Sequence, residues 1–178
     1  MGAKYFNAFH IKNLYLQAEY NHVRPYTYSH SNAITNYGHN NQNMGHIWGS
    51  NFNELTGIVR YTRKRLFAEA KVSAGVRGFD FDTATNTLNF GSNIYKDYDV
   101  DRAFDKGVTV GQGNKTNILI ADIQAGYLVN PHSNLKLFAN VIYRDFSPKT
   151  NTTTVFKETT SWFSIGLRAD VFNWYYDF

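Results

Sequence analysis

Cysteine is absent from these 178 residues, proline occurs three times and methionine twice. Without cysteine there is no disulfide framework and no thiolate metal site. The chain also lacks any run of eighteen apolar residues, which excludes a membrane-spanning helix. Its mean hydropathy is only −0.44, although 43% of its residues are hydrophobic. That average is blind to strands that place an apolar residue at every second position. The net charge of +4 comes from lysines and arginines scattered among carboxylates, which leaves no basic stripe for nucleic acid. There is no Gly-x-Ser-x-Gly elbow or other nucleophile constellation, so the chain reads as a protein that is not an enzyme.

What the chain has in abundance is aromatic residues, at 17%, and period-two alternation. In residues 66–77, Leu66, Ala68, Ala70, Val72, Ala74 and Val76 share one face of a strand, while Phe67, Glu69, Lys71, Ser73, Gly75 and Arg77 share the other. The same parity places Leu119, Ala121, Ile123, Ala125, Tyr127 and Val129 together, and Leu135, Leu137, Ala139, Val141 and Tyr143 together. Residues 13–21, 54–62 and 162–171 follow the rule with Leu14, Leu16, Ala18 and Tyr20; Leu55, Gly57, Val59 and Tyr61; and Phe163, Ile165, Leu167, Ala169 and Val171. No apolar face carries a charge. The opposite faces carry Glu19, Glu54, Arg60, Glu69, Lys71, Arg77, Asp122, Lys136, Arg144, Arg168 and Asp170.

A soluble sandwich also alternates, but three features favour lipid. The strands are about nine to eleven residues long, the length needed to cross a hydrocarbon core at a tilt. Tyr20 and Tyr143 stand near one end of the strands and Tyr61 and Tyr127 near the other, as in the aromatic girdles of membrane barrels. Alanine recurs on the apolar face, where lipid tails need no large partner. The connections alternate as well. Residues 24–53, 78–117 and 147–159 are long and 63–65 and 130–134 are short, the asymmetry of external loops and periplasmic turns.

The fold expected is therefore all-β: an antiparallel transmembrane outer-membrane β-barrel. Six strands are fewer than the eight with which single-chain barrels begin, and an open edge in lipid leaves backbone groups unpaired. Met1-Gly2-Ala3-Lys4-Tyr5 has no apolar signal-peptide core. Residues 1–178 are accordingly expected to be one C-terminal segment of a larger barrel, with the long loops 24–53, 78–117 and 147–159 extracellular and the C-terminus periplasmic. Residues 4–9 add at most a partial strand, and a bulge is expected near Phe172-Asn173.

The first long loop concentrates planar donors and acceptors: Arg24, Tyr26, Tyr28, His30, Tyr37, His39, Gln42, His46, Trp48 and Asn51. Such side chains can stack on sugars and bind hydroxyls, or they can fold inward and plug the lumen against Glu19, Glu54 and Arg60. The spacing of His22, His30, His39 and His46 matches no metal frame. The run Gly111-Gln112-Gly113-Asn114-Lys115-Thr116 departs from a phosphate loop at Asn114. Asp97, Asp99, Asp101 and Asp105 lack the glycine and terminal glutamate of an EF-hand. No metal and no cofactor is expected. The basic turn Arg63-Lys64-Arg65 reads as a solvated tip beside lipid headgroups.

The stretch Glu19-Tyr20-Asn21-His22-Val23-Arg24-Pro25-Tyr26-Thr27-Tyr28-Ser29-His30, followed by Tyr37-Gly38-His39, Gln42, His46, Gly49 and Asn51, resembles the C-terminal barrel region of the RemB gliding-motility proteins. More distantly it resembles the Wzi-like capsule-assembly barrels. The resemblance covers essentially the whole chain, to Trp174-Tyr175-Tyr176-Asp177-Phe178. It implies a bacterial outer-membrane protein of gliding or type IX secretion, noncatalytic, acting in motility or cell-surface assembly. The alternatives are a Wzi-like barrel that binds surface polysaccharide and a small-solute diffusion channel. The implied partners are outer-membrane lipid, the barrel-assembly machinery, other motility or secretion proteins and surface polysaccharide, with Phe178 as the assembly signal.

Overall fold

The computed structural model describes residues 1–169. Among these residues there are nine strands: β1 Gly2–Phe6, β2 Leu14–Val23, β3 Gly38–His39, β4 Gln42–Asn43, β5 Phe52–Arg63, β6 Leu66–Phe79, β7 Asn114–Asn130, β8 Leu135–Pro148 and β9 Glu158–Arg168. Seven make one antiparallel sheet in the order β1-β2-β5-β6-β7-β8-β9, and β3 with β4 make a separate small ribbon. Sequential neighbours always pair, so the sheet is a simple meander. Among the described residues β1 and β9 are its two edges and no closed barrel is formed.

The register joins the apolar faces of single strands into one surface. Leu16 stands opposite Val59, Val59 opposite Ala70, Ala70 opposite Ile123, Ile123 opposite Val141, and Val141 opposite Phe163. A slip of one residue in any pairing would turn that strand's apolar set to the other side. β1 joins with the same parity, since Ala3 pairs Ala18 and Tyr5 pairs Leu16.

The strands overrun the apolar pattern at the loop-bearing end. β7 begins at Asn114 rather than at residue 119, and β6 and β8 continue to Phe79 and Pro148. Polar residues extend the ladder there, with Thr116 opposite both Arg77 and Pro148. β9 starts at Glu158 and ends at Arg168, so it sits earlier than the expected 162–171. The strand's early residues pair because Glu158, Thr159 and Thr160 face Phe146, Asp145 and Arg144. Val171, the bulge expected near residue 172 and the terminal Phe178 lie outside the described residues.

Tight turns close one end of the sheet. Arg63 pairs Leu66 directly, which leaves Lys64 and Arg65 as the turn, with Lys64 in the left-handed region at φ 55°. Residues 131–134 link β7 to β8 after a register shift between Leu128 and Asn130. The connection from β1 to β2 lies at this same end. The three long connections, now 24–51, 80–113 and 149–157, all lie at the other.

Burial is inverted relative to a soluble sheet. Leu55, Leu66, Ile123, Val141, Phe163, Ile165 and Leu167 are exposed on the apolar face, whereas Glu54, Thr56 and Ser73 on the charged face are buried. Among the described residues a hydrophobic cluster lies on the charged side, at the loop end. Trp48, Phe52 and Ile118 form it, with Val23, Ile120 and Phe146 packed around them.

Candidate functional site

The long loops meet over the charged face through a few buried polar side chains. Asn51, wholly buried and in the left-handed region at φ 63°, is the principal tie. Its Nδ2 donates to the carbonyls of Gly78 at 3.1 Å and Gln112 at 3.0 Å, and its Oδ1 accepts the Gly111 N–H at 2.7 Å. One side chain thus fastens the first loop to the end of β6 and to the far end of the second loop. Asparagine suits the place because it carries a donor and an acceptor and tolerates positive φ. Beside it the Ser50 hydroxyl donates to the Gly91 carbonyl at 2.7 Å.

The second loop is braced from within. The Asp80 carboxylate accepts the Phe90 N–H at 2.8 Å and pairs with Lys96 at 3.0 Å. Lys96 also reaches Asp82 at 2.5 Å. Burial disfavours the Lys96 charge, but its bonds to Asp82 and Asp80 outweigh that and hold the ammonium above its ordinary range. Asn89 donates to the Asp97 carbonyl at 2.8 Å and accepts the Gly91 N–H at 2.8 Å. Asp97 is itself engaged with the Asp99 N–H.

Apart from Asn51, the residues expected to act as one loop site separate into three groups. Trp48 and His46 are packed on the sheet. The Trp48 ring lies over Gly75, where a Cβ would come within 2.7 Å of it, and stacks edgewise on Phe52 at 5.5 Å. His46 Nδ1 accepts the Trp48 N–H, so its proton is on Nε2, which faces the Glu54 carboxylate at 2.9 Å. Asn21 donates to that same carboxylate. Of the three partners expected for an inward-folded loop, Glu54 is reached, whereas Arg60 pairs with Glu69 at 2.9 Å and Glu19 bonds Gln17.

A second group stands out on the ribbon. His39 and Gln42 pair across a two-residue turn in which Asn40 and Asn41 both have positive φ, the conformation that favours asparagine in tight hairpins. Both side chains are exposed. Below them Tyr28 and Tyr37 stack at 5.5 Å.

The third group lines a cleft of about 490 Å³ between the first and second loops. Arg24, Tyr26 and Ser29 face Tyr98, Arg102 and Lys106 across it. The Arg102 guanidinium sits 4.5 Å above the Tyr26 ring, and the Tyr26 hydroxyl donates to the Asn89 carbonyl at 2.6 Å. Burial raises the Tyr26 phenol above its ordinary range, with Arg102 opposing the rise. Ser29 Oγ and Arg102 Nε are buried without a hydrogen-bond partner, and both residues line this cleft. His30 lies at its margin, edge-on to Tyr98 at 6.1 Å.

In comparisons with known proteins, no family model, curated protein or solved structure matches the chain. Sequence reasoning missed Tyr98, Arg102 and Lys106. They are interspersed with Asp97, Asp99, Asp101 and Asp105, whose charge drew attention to calcium. Among the described residues no three histidine or acidic side chains converge as metal ligands. Nothing periodic in the sequence ties residue 102 to residue 26; only the folded loops do.

The charged face lower down has a simpler order. Thr56 and Ser73 share a hydrogen bond at 2.8 Å, and Asn140 donates to Asp122 at 2.5 Å. Lys71 stands opposite Asp122. Phe67 lies over Gly126, and Lys136 sits 5.9 Å above the Phe67 ring. Such aromatic cover restores packing that a strand glycine lacks.

Proposed function

We propose that the chain is a segment of a bacterial outer-membrane β-barrel of the RemB type, a noncatalytic protein serving gliding motility or cell-surface assembly. One observation carries the membrane reading: the apolar face is continuous across the sheet and exposed, with its charges, Arg63, Lys115 and Asp145, confined to the strand ends, while the charged face is the more buried one. In water such a surface would be covered or would aggregate; in a bilayer it is the surface lipid solvates. Tyr20 and Tyr143 toward the loops, and Tyr127 toward the turns, border it and are exposed. The motif from Glu19 to Asn51 supports the RemB-type assignment. Further strands, from the rest of a longer chain, would close the sheet between β1 and β9. Detergent-extracted protein is expected to migrate faster on a gel unheated than boiled. A protein that stays monodisperse without detergent and migrates identically in both states would refute the membrane reading.

A second reading is favoured by the cleft between the loops. Arg24, Arg102 and Lys106 outnumber the single carboxylate, Asp105, so the lining is net positive; Tyr26 and Tyr98 supply ring faces, and Ser29 and Arg102 hold free hydrogen-bonding capacity. That chemistry suits an acidic sugar of a surface polysaccharide, as a Wzi-like role requires. Arg102→Ala with Tyr26→Ala is expected to abolish retention of purified surface polysaccharide; unchanged retention would discard the reading.

A further inference from the structure

A different cavity lies on the charged face beneath the third loop, about 440 Å³ in volume. Its walls are mainly apolar: Trp48 from the first loop, Phe79 and Phe146 from β6 and β8, and Phe156 from residues 149–157. Two guanidinium groups, Arg77 and Arg144, enter it from neighbouring parts of the sheet. Small-molecule sites have this character, a largely apolar hollow with a few convergent polar groups.

The two arginines are short of partners. Among the described residues neither makes an ion pair. Arg77 is mostly buried; its Nη2 reaches the Ser92 carbonyl only at 3.4 Å, and its Nε is buried with no hydrogen-bond partner. Its best contact is with the Phe79 ring, at 4.4 Å. No carboxylate of the described residues lies within pairing distance of this guanidinium; Asp80 acts on it only from farther off, being paired with Lys96. A buried guanidinium so placed is costly unless an anion completes it, and its planar fork fits a carboxylate with two parallel bonds. Two acidic residues also line the cavity: Asp145, whose Oδ1 accepts from the Thr159 hydroxyl, and the exposed Glu158; neither pairs with either arginine. The register sets Arg144 opposite Thr160, whose hydroxyl-bearing side chain shares the cavity wall.

We propose that this cavity is a binding site for an organic carboxylate with a compact aromatic or apolar body. The carboxylate would lie on Arg77, with Arg144 as the outer cation, and the body among Trp48, Phe79, Phe146 and Phe156. A cation of the same shape is disfavoured by the two guanidinium groups. The site depends on the loops and the upper strands alone, so it stands whether or not the sheet crosses a membrane.

The test is calorimetric titration of the full chain in detergent with 2-naphthoate, with 2-naphthylmethylamine as the cation of like shape and acetate as the headgroup alone. Saturable binding of one naphthoate per chain is expected, with no binding of the amine and none of acetate at the same concentrations. Arg77→Met is expected to weaken naphthoate about tenfold or more, the loss of charge-assisted hydrogen bonds, and Arg144→Met to weaken it less. Arg77→Lys keeps the charge without the fork and is expected to fall between wild type and Arg77→Met. Phe156→Ala, on the loop and away from the strands, is expected to weaken naphthoate while leaving the strand spectrum unchanged. Equal binding of the amine and the carboxylate would overturn the proposal. So would naphthoate binding unaltered by Arg144→Met and Phe156→Ala, a result that stands even if the Arg77 variants do not fold.

Discussion

At mid-sheet, Val72 faces outward opposite Ala121 and is 40% exposed, and one residue away Ser73 faces inward and is 5% exposed. At the loop-bearing end, Asn51, Asn89, Asn114 and Thr116 are almost fully buried and bonded to backbone carbonyls or N–H groups. The first region depends on ladder bonds and on what solvates its apolar face. The second depends on polar side chains that satisfy the backbone of irregular loops, each unmade bond there costing the desolvation of its partner. A β-sheet with exposed valines and a loop layer with buried asparagines is the reverse of the usual distribution. The apolar surface and the protein's own core are therefore separate things in this molecule.

The largest expected effect separates the two faces of one strand. Ile123→Arg places a charge in the middle of the apolar band and should destabilise the folded state in lipid vesicles by about 2–4 kcal/mol. Gln124→Arg, its neighbour on the charged face beside Glu69 and Asp122, should cost under about 1 kcal/mol. Urea unfolding in vesicles, followed by strand signal, gives both numbers. Equal costs would erase the distinction between the faces.

Next is the loop layer. Asn51→Ala removes partners from the Gly78 and Gln112 carbonyls and from the Gly111 N–H, and should cost about 3 kcal/mol. Hydrogen exchange should rise around residues 78 and 111 and remain unchanged in residues 66–74. Uniform exchange across the sheet would mean that the loops and strands are one cooperative unit rather than two.

The smallest effect is with pH. Lys96 has its proton held above its ordinary 10.5 and Tyr26 above its ordinary 10.0. In both cases the folded state binds the proton more tightly than the unfolded chain. Their contribution is full below about pH 10 and is lost as pH rises through the folded values. Exchange in residues 80–103 should therefore quicken above about pH 10 before the strands respond, and Lys96→Met should quicken it already at neutral pH.

The strands were legible in the sequence because a half-solvated strand leaves a period of two, and Leu66 to Val76 carries it without interruption. The register was narrowed but not chosen by that parity, since any even shift keeps Ala70, Ile123 and Val141 on the same side; the two-residue turn at Lys64 and Arg65 selects the pairing of β5 with β6. Strand ends were less legible. Asn114, Lys115 and Thr116 extend β7 through backbone pairing with residues 77–79, and backbone pairing leaves no pattern in side chains. The loop sites were hardest to read. Trp48 and Asn51 were picked out as groups for either sugar contact or inward packing, and the residue types alone did not show that the first packs on Gly75 and the second ties carbonyls together. Arg77 was identified only as one charge on the polar face; that no carboxylate of the described residues pairs with it depends on the fold, which carries Asp80 to Lys96 instead.

The absence of cysteine provides the most direct test of the central claim, that the apolar face meets lipid. Single cysteines at 121 to 126, spin-labelled in the reconstituted protein, can be compared for collisions with oxygen, which concentrates in lipid, and with a water-soluble nickel complex. The account predicts strict alternation: oxygen favoured at Ala121, Ile123 and Ala125, and nickel favoured at Asp122, Gln124 and Gly126. Nickel access at positions 121, 123 and 125 equal to that at 122, 124 and 126 would contradict it.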